Sequence, residues 1–247
     1  MQKLAKRIAR SGLFFLSKLE SVFDNAYLNH EVPLSKRIDV SVLPEYVKSQ
    51  NGKKLRVLEI GSREVTGPST MRERFSDAEY VGFDIYAARN VDVVGDVHRL
   101  SSYFEGVEKF DIIYTVACFE HFAMPWVVAT EISKMLKVGG VVCVATHFSF
   151  SAHERPWNFF QFSDMGLRVL FSNALGFECI DAGMSNPIVG RFSRLADKNL
   201  RNVPVRGLYC GSEFVGRKVR EELDFDWNKV SVGDVVSGTT YPAPSCG

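Results

Sequence analysis

The sequence contains no apolar run approaching the roughly 18 residues of a membrane-spanning helix, which argues against a helical membrane protein. It has no Cys-x-x-Cys pair, and its cysteines, Cys118, Cys143, Cys179, Cys210 and Cys246, are odd in number. Small buried thiols in a reducing compartment are therefore expected, not a disulfide framework. Neither charge predominates, with 30 Lys plus Arg against 29 Asp plus Glu. That balance argues against a protein whose main task is gripping a nucleic-acid backbone. Internal repeats and low-complexity tracts are absent. The early lysines and arginines precede only a short apolar block, Gly12 to Leu16, with no small-residue cleavage site after it. A secretory leader is not expected, and the cytoplasm is the expected location.

What is present is an ordinary globular composition. Of the 247 residues, 46% are hydrophobic, enough for a sizeable core. The chain divides into a basic lead-in over 1–50, a domain over 51–218 and a tail over 219–247. In the lead-in, at about 100° per residue, Leu4, Ile8, Phe15, Leu19, Val22 and Phe23 fall on one face. Lys3, Lys6, Arg7, Arg10 and Lys18 fall opposite. This amphipathic helix either packs on its own domain or makes peripheral contact with an anionic membrane.

The middle of the chain alternates short β-branched runs with helical patterns. Arg56–Ile60, Tyr80–Asp84, Val91–Asp96, Phe110–Val116 and Val141–Thr146 read as strands. Ser69–Phe75 reads as a helix. Pro125 opens another, with Val128, Ile132, Met135 and Leu136 at helical spacing, stopping at Gly139-Gly140. Ser163 or Asp164 caps a third helix, carrying Leu167, Leu170, Phe171 and Ala174 and stopped by Gly176. Phe177–Ile180 resumes strand. Near-continuous apolar strands separated by helices imply an α/β fold whose parallel sheet is buried on both faces. Such sheets bind ligands beyond the carboxyl ends of their strands, so the residues that follow each strand carry the functional signal.

After the first strand comes Gly61, which lets a ligand approach the backbone closely. The second strand ends in Asp84, placed to accept from the two hydroxyls of a ribose. The third ends in Gly95-Asp96-Val97, whose carboxylate can accept from an exocyclic amine or cap the helix starting near His98. The fourth leads into Cys118-Phe119-Glu120-His121. A dinucleotide fingerprint needs G-x-G-x-x-G, whereas Gly61 and Gly67 enclose five residues including Arg63 and Glu64, so the pyrophosphate turn is missing. The P-loop pattern is missing too. A nucleoside-type ligand without phosphates fits better than NAD.

Glu59-Ile60-Gly61, Asp84, Gly95-Asp96, the run Phe110 to His121 and Met135-Leu136-Lys137-Val138-Gly139-Gly140 together resemble class I S-adenosylmethionine-dependent methyltransferases. The nearest branch is that of the quinone-biosynthesis methyltransferases. The resemblance covers about residues 55–183. It departs from the usual E-x-G-x-G-x-G in that Arg63 replaces the second glycine. It implies a Rossmann-like, doubly wound, mostly parallel seven-stranded sheet with helices on both faces, completed by an antiparallel strand over 208–218. S-adenosylmethionine is the implied cofactor. Glu59, Gly61 and Ser62 would hold its methionine end, and Asp84 its ribose with Ile85 near the adenine. Asp96 and the Val97 N–H would meet the adenine, and Val116 would pass under the sulfonium.

The candidate catalytic bases are His121, His147 and His153, all on or after the fourth and fifth strands. The tract His153 to Phe160 mixes charge with aromatics and reads as acceptor-binding. His147, His153 and Glu154 make no recognised metal-ligand spacing, so no metal is expected. The expected activity is methyl transfer to oxygen, nitrogen or carbon of a small-molecule, saccharide or lipid-linked acceptor, with no nucleic-acid partner. The alternative is a non-catalytic scaffold or partner-binding subunit on the same fold.

Overall fold

The computed structural model describes residues 27–36, 54–65 and 67–236. The amphipathic lead-in helix and the Tyr241–Pro244 tail lie outside the described residues. Strands β1 (Arg56–Ile60), β2 (Glu79–Asp84), β3 (Val93–Val94), β4 (Phe110–Val116) and β5 (Leu136–His147) are joined by β6 (Phe177–Pro187) and, after a small hairpin of β7 (Gly190–Arg191) and β8 (Pro204–Val205), by β9 (Tyr209–Lys218). The main sheet has seven strands in the order β3-β2-β1-β4-β5-β9-β6. β1 to β5 pair in parallel, and β9 runs antiparallel between β5 and β6. The order reverses between β1 and β4, which makes their carboxyl ends the switch point where a ligand crevice forms.

Adjacent residues on a strand point to opposite faces, and here both faces are apolar. Leu58, Ile113 and Val142 turn to one side with Val128, Ala129 and Ile132 of helix α2 and Leu167 and Leu170 of α3. Val57, Ile112 and Val141 turn to the other with Phe75. The α-helices that lie wholly within the described residues are α1 (Met71–Arg74), α2 (Pro125–Met135), α3 (Asp164–Leu170) and α4 (Val232–Val235). Full burial of each such aliphatic side chain contributes about 1.5–3 kcal/mol.

α2 starts with Pro125 in its first turn, where the missing N–H costs nothing. It ends at Met135, earlier than its helical spacing suggests. Leu136 instead pairs with Phe110 in the sheet, and the register then jumps so that Ile112 faces Val141. Lys137 to Gly140 bulge out between these pairs. Gly139 takes φ +86 there, a conformation that other residues resist. Across the sheet, Lys218 is fully buried, and its Nζ donates to the carbonyls of Ser133 (2.6 Å) and Leu136 (3.0 Å) and to Glu221 (2.7 Å). It thus caps the C-terminal end of α2, where a cation complements the helix dipole.

α3 is shorter than its apolar spacing suggests. Its Ser163 cap accepts from the Gly166 N–H, and Phe171 already leaves the helix. Past β9, Trp227 packs against the core and donates Nε1–H to the Trp126 carbonyl at 3.1 Å, so the first part of the 219–247 segment is fastened to α2.

Candidate active site

Three strand ends converge at the switch point. At β1, Gly61 takes φ +84, and a Cβ there would lie 2.8 Å from Cys118 Sγ, just past β4. Only a glycine lets these two turns close on one another. The Gly61 and Ser62 N–H groups both donate to the Phe83 carbonyl of β2, at 2.9 and 3.2 Å. The Gly95 N–H donates to the Asp84 carbonyl at 2.9 Å, tying the third strand end to the second. No helix separates Asp84 from β3.

Asp84 sits at the carboxyl end of β2. Its Oδ1 accepts from the Tyr86 N–H at 3.1 Å and its Oδ2 from the Arg63 N–H at 3.3 Å. Arg63 Nε stands 3.6 Å from Oδ1, while its guanidinium lies over the Tyr86 ring. A carboxylate offers about four acceptor sites, so two remain for incoming hydroxyls. Beside it, Ile85, Tyr86 and Val116 are exposed apolar side chains at the crevice. Asp96 caps the 3-10 turn Val97–Tyr103, accepting from the His98 N–H, and its Oδ1 lies 2.7 Å from the His98 ring. Burial is the largest single influence and raises its carboxyl, but the His98 bonds with the His98 and Arg99 charges together hold it below the usual range. Val97 is buried.

Glu59 and Ser62 lie beneath the turn. The Ser62 N–H and carbonyl are both engaged, the latter by Asn90 at 3.2 Å, and its buried hydroxyl packs over Gly82. Glu59 shares its sheet face with Val57. Its Oε2 accepts from the Tyr80 hydroxyl and, at 3.3 Å, from Asn90, and Tyr80 in turn meets the Tyr114 hydroxyl at 2.9 Å. Burial pushes the Glu59 carboxyl up to about 7 despite these bonds and the nearby Arg72 charge. Arg72 fastens Asn90 (2.8 Å) and Asp92 (2.5 Å). Sequence reasoning missed Tyr80, Asn90, Tyr114 and Arg72. A signal existed for Tyr114, which stands directly across from Glu59 in the β1–β4 pairing.

The three candidate histidines gather on the other side of β4. Glu120, fully buried in the 3-10 turn after β4, accepts from Thr146 Oγ1 at 2.7 Å through Oε2. Its Oε1 lies 2.6 Å from His147 Nδ1 and 3.9 Å from His121 Nε2. The loop after β5 folds back onto this turn, because the Phe159 and Phe160 N–H groups donate to the Glu120 carbonyl. That fold-back seats His153 edge-on to both His121 and His147, with ring centroids 4.8 and 5.3 Å away. Burial depresses the His147 pKa, opposed by the charge of Glu120. The structure thus brings Gly61, Asp84, Ile85 and Val116 together at the crevice, with Asp96 at the neighbouring strand end. It gathers the three imidazoles around Glu120.

A family profile described as a methyltransferase domain matches residues 4–175. Among solved structures, the plantazolicin methyltransferase BamL superposes with a TM-score of 0.50 at 14% identity, covering 73% of this chain and 84% of that one. A SAM-dependent methyltransferase from Archaeoglobus fulgidus gives 0.46 at 14% identity, over 72% and 92%. The CurJ carbon methyltransferase gives 0.47 at 12% identity, covering 81% of this chain but only 58% of its own. No curated protein matches the sequence. The likeness to BamL is one of fold.

Proposed function

Because the chain belongs to the methyltransferase-domain family, with S-adenosylmethionine as its cofactor, we propose that it transfers a methyl group to an oxygen, nitrogen or carbon atom of a small-molecule, saccharide or lipid-linked acceptor. The observation that carries this reading is the crevice between β1 and β4, where Gly61 lets the two turns close on one another and Asp84 keeps acceptor sites free. Bound there, the sulfonium supplies an electrophilic methyl group. Asp84 would hold the ribose hydroxyls, and Ile85 would cover the adenine. Asp96 and Val97 sit at the next strand end, where the adenine edge would fall. Glu59 would stiffen the turn from below. Val116 would shield the sulfonium, and the post-β5 loop would close over the acceptor and exclude water. Holding the acceptor atom in line with the S–CH3 bond is the protein's main task, worth about 7–11 kcal/mol at best. Any proton that the acceptor loses would leave on the side of His121, His147 and His153. The reading includes a cytoplasmic setting and a lead-in helix that either packs on its own domain or makes peripheral membrane contact, both supported by sequence alone. Among the described residues, no helix is long and apolar enough to cross a membrane.

One observation favours the non-catalytic scaffold instead: Arg63, where the family has a glycine, lies against Asp84. A thermal-shift titration with S-adenosylhomocysteine decides between the two. At 100 times its dissociation constant it should stabilise the chain by about 2.7 kcal/mol. Asp84→Ala should weaken binding about 10- to 100-fold, as expected for lost hydrogen bonds to a charged group. No shift at millimolar ligand establishes the scaffold, and a shift with NAD alone overturns both.

A further inference from the structure

We propose that Glu120, His121 and His153 bind one divalent first-row transition-metal ion. One donor atom from each lies within 4.8 Å of the other two. The sequence spacing suggested no such site, because the three meet only when the post-β5 loop folds back onto the turn after β4.

Each donor is prepared by an outer partner. His121 Nδ1 contacts the Trp157 carbonyl, and His153 Nδ1 lies 2.9 Å from the Ser151 carbonyl. A carbonyl only accepts, so each Nδ1 carries the proton and each Nε2 keeps its lone pair. Backbone carbonyls orient metal-bound imidazoles in this way. Glu120 is oriented likewise by the Thr146 hydroxyl on Oε2. Its Oε1 is buried with no hydrogen bond, although His147 Nδ1 is 2.6 Å away, and that nitrogen is itself buried without one. A structural Glu–His pair would align the N–H with the oxygen. Here the short contact is poorly aligned, and the same fully buried oxygen also faces His121 Nε2 at 3.9 Å. A fully buried carboxylate with one poorly aligned partner gains from a cation beside it.

Two imidazoles and one carboxylate are a donor set suited to Zn²⁺, Fe²⁺ or Mn²⁺, and three protein donors would leave coordination positions for other ligands. Mg²⁺ prefers all-oxygen sites and should bind poorly. At metal–nitrogen distances of about 2.0–2.1 Å, neighbouring donors stand roughly 3 Å apart, so the loop must close by about 1–2 Å. For the ion's role alone, the inference rests on the methyltransferase reading. An open position on the acceptor side would take an acceptor oxygen and lower its pKa as a Lewis acid.

The test uses the full chain stripped with chelator and titrated calorimetrically with Mn²⁺, Co²⁺ and Zn²⁺ alone. One equivalent should bind, and Co²⁺ should develop a d–d absorption band. His153→Ala, on a partly exposed loop, should weaken binding at least about tenfold. Glu120→Gln should do the same if it folds, and His30→Ala, far along the chain, should leave affinity unchanged. No binding by any of the three ions at 1 mM, or unaltered binding by His153→Ala, overturns the site. S-adenosylhomocysteine is titrated into the same samples. Its failure with intact metal binding removes the cofactor reading, not the metal.

Discussion

Replacing Glu59 with glutamine tests how the network beneath the Gly61 turn is held. In the folded chain, burial lifts this carboxyl from 4.5 to about 7. In the unfolded chain it titrates at its ordinary value. Between the two values the native state holds more protons than the unfolded one, so stability falls as pH rises through that window. Below the window Glu59 is protonated in both states and carries no charge penalty. Above it the charge is present in both states, and the fold bears the full cost of its burial. The difference between the two values corresponds to about 3 kcal/mol at about 1.36 kcal/mol per pH unit. Glutamine keeps the size and an acceptor oxygen for Tyr80 and Asn90 but cannot ionise. Its new N–H can meet the Tyr114 hydroxyl. Urea unfolding of both proteins, without cofactor, over pH 4.5–8.5 isolates the effect, because every other titration cancels in the difference. Glu59→Gln should gain on the parent by about 3 kcal/mol across that range, roughly 6–12 °C in Tm. A difference flat with pH would refute the idea that an uncompensated buried carboxyl underlies the turn. A slope of the opposite sign would mean that the charged form is the favoured one.

Gly61→Ala should lose about 1–3 kcal/mol in denaturant unfolding, because φ +84 is strained for alanine and its Cβ meets Cys118 Sγ at 2.8 Å. Combined with Cys118→Ala, the 2.8 Å clash should ease to the 3.2 Å contact with the remaining Cβ while the strain persists, giving a favourable coupling in a double-mutant cycle. Additive losses would discard the clash. Lys218→Met should cost roughly 2–4 kcal/mol by urea unfolding, since it leaves the buried Ser133 and Leu136 carbonyls without their donor and Glu221 with Lys109 as its remaining cation. A loss under 0.5 kcal/mol, the size of ordinary surface changes, would show that water replaces it.

The parallel sheet was legible because its strands are apolar on both faces and separated by helical periodicity. The Arg56–Ile60 and Phe110–Val116 strands emerge close to where their residue types place them, and Tyr209–Lys218 close to where the family resemblance does. Boundaries were less legible. Helical spacing ran through Leu136, yet pairing with Phe110 took that residue into the sheet. The Val91–Asp96 run kept only Val93–Val94 as strand, since Asp92 turned to accept from the Gly82 N–H and from Arg72, and Asp96 became a cap. Local pattern records what a residue prefers, whereas tertiary hydrogen bonds decide which preference is met.

By itself the sequence determined the layered architecture and the strand ends where a ligand must bind, because burial periodicity and glycine or acid placement are local properties. Only the tertiary structure decided what each acid meets. It set Glu59 among tyrosines instead of solvent, laid Arg63 on Asp84, and carried His153 back to Glu120 and His121. Those encounters join residues far apart in the chain through loop paths and backbone bonds, such as those of Phe159 and Phe160 to the Glu120 carbonyl, which leave no periodic trace in the order of amino acids.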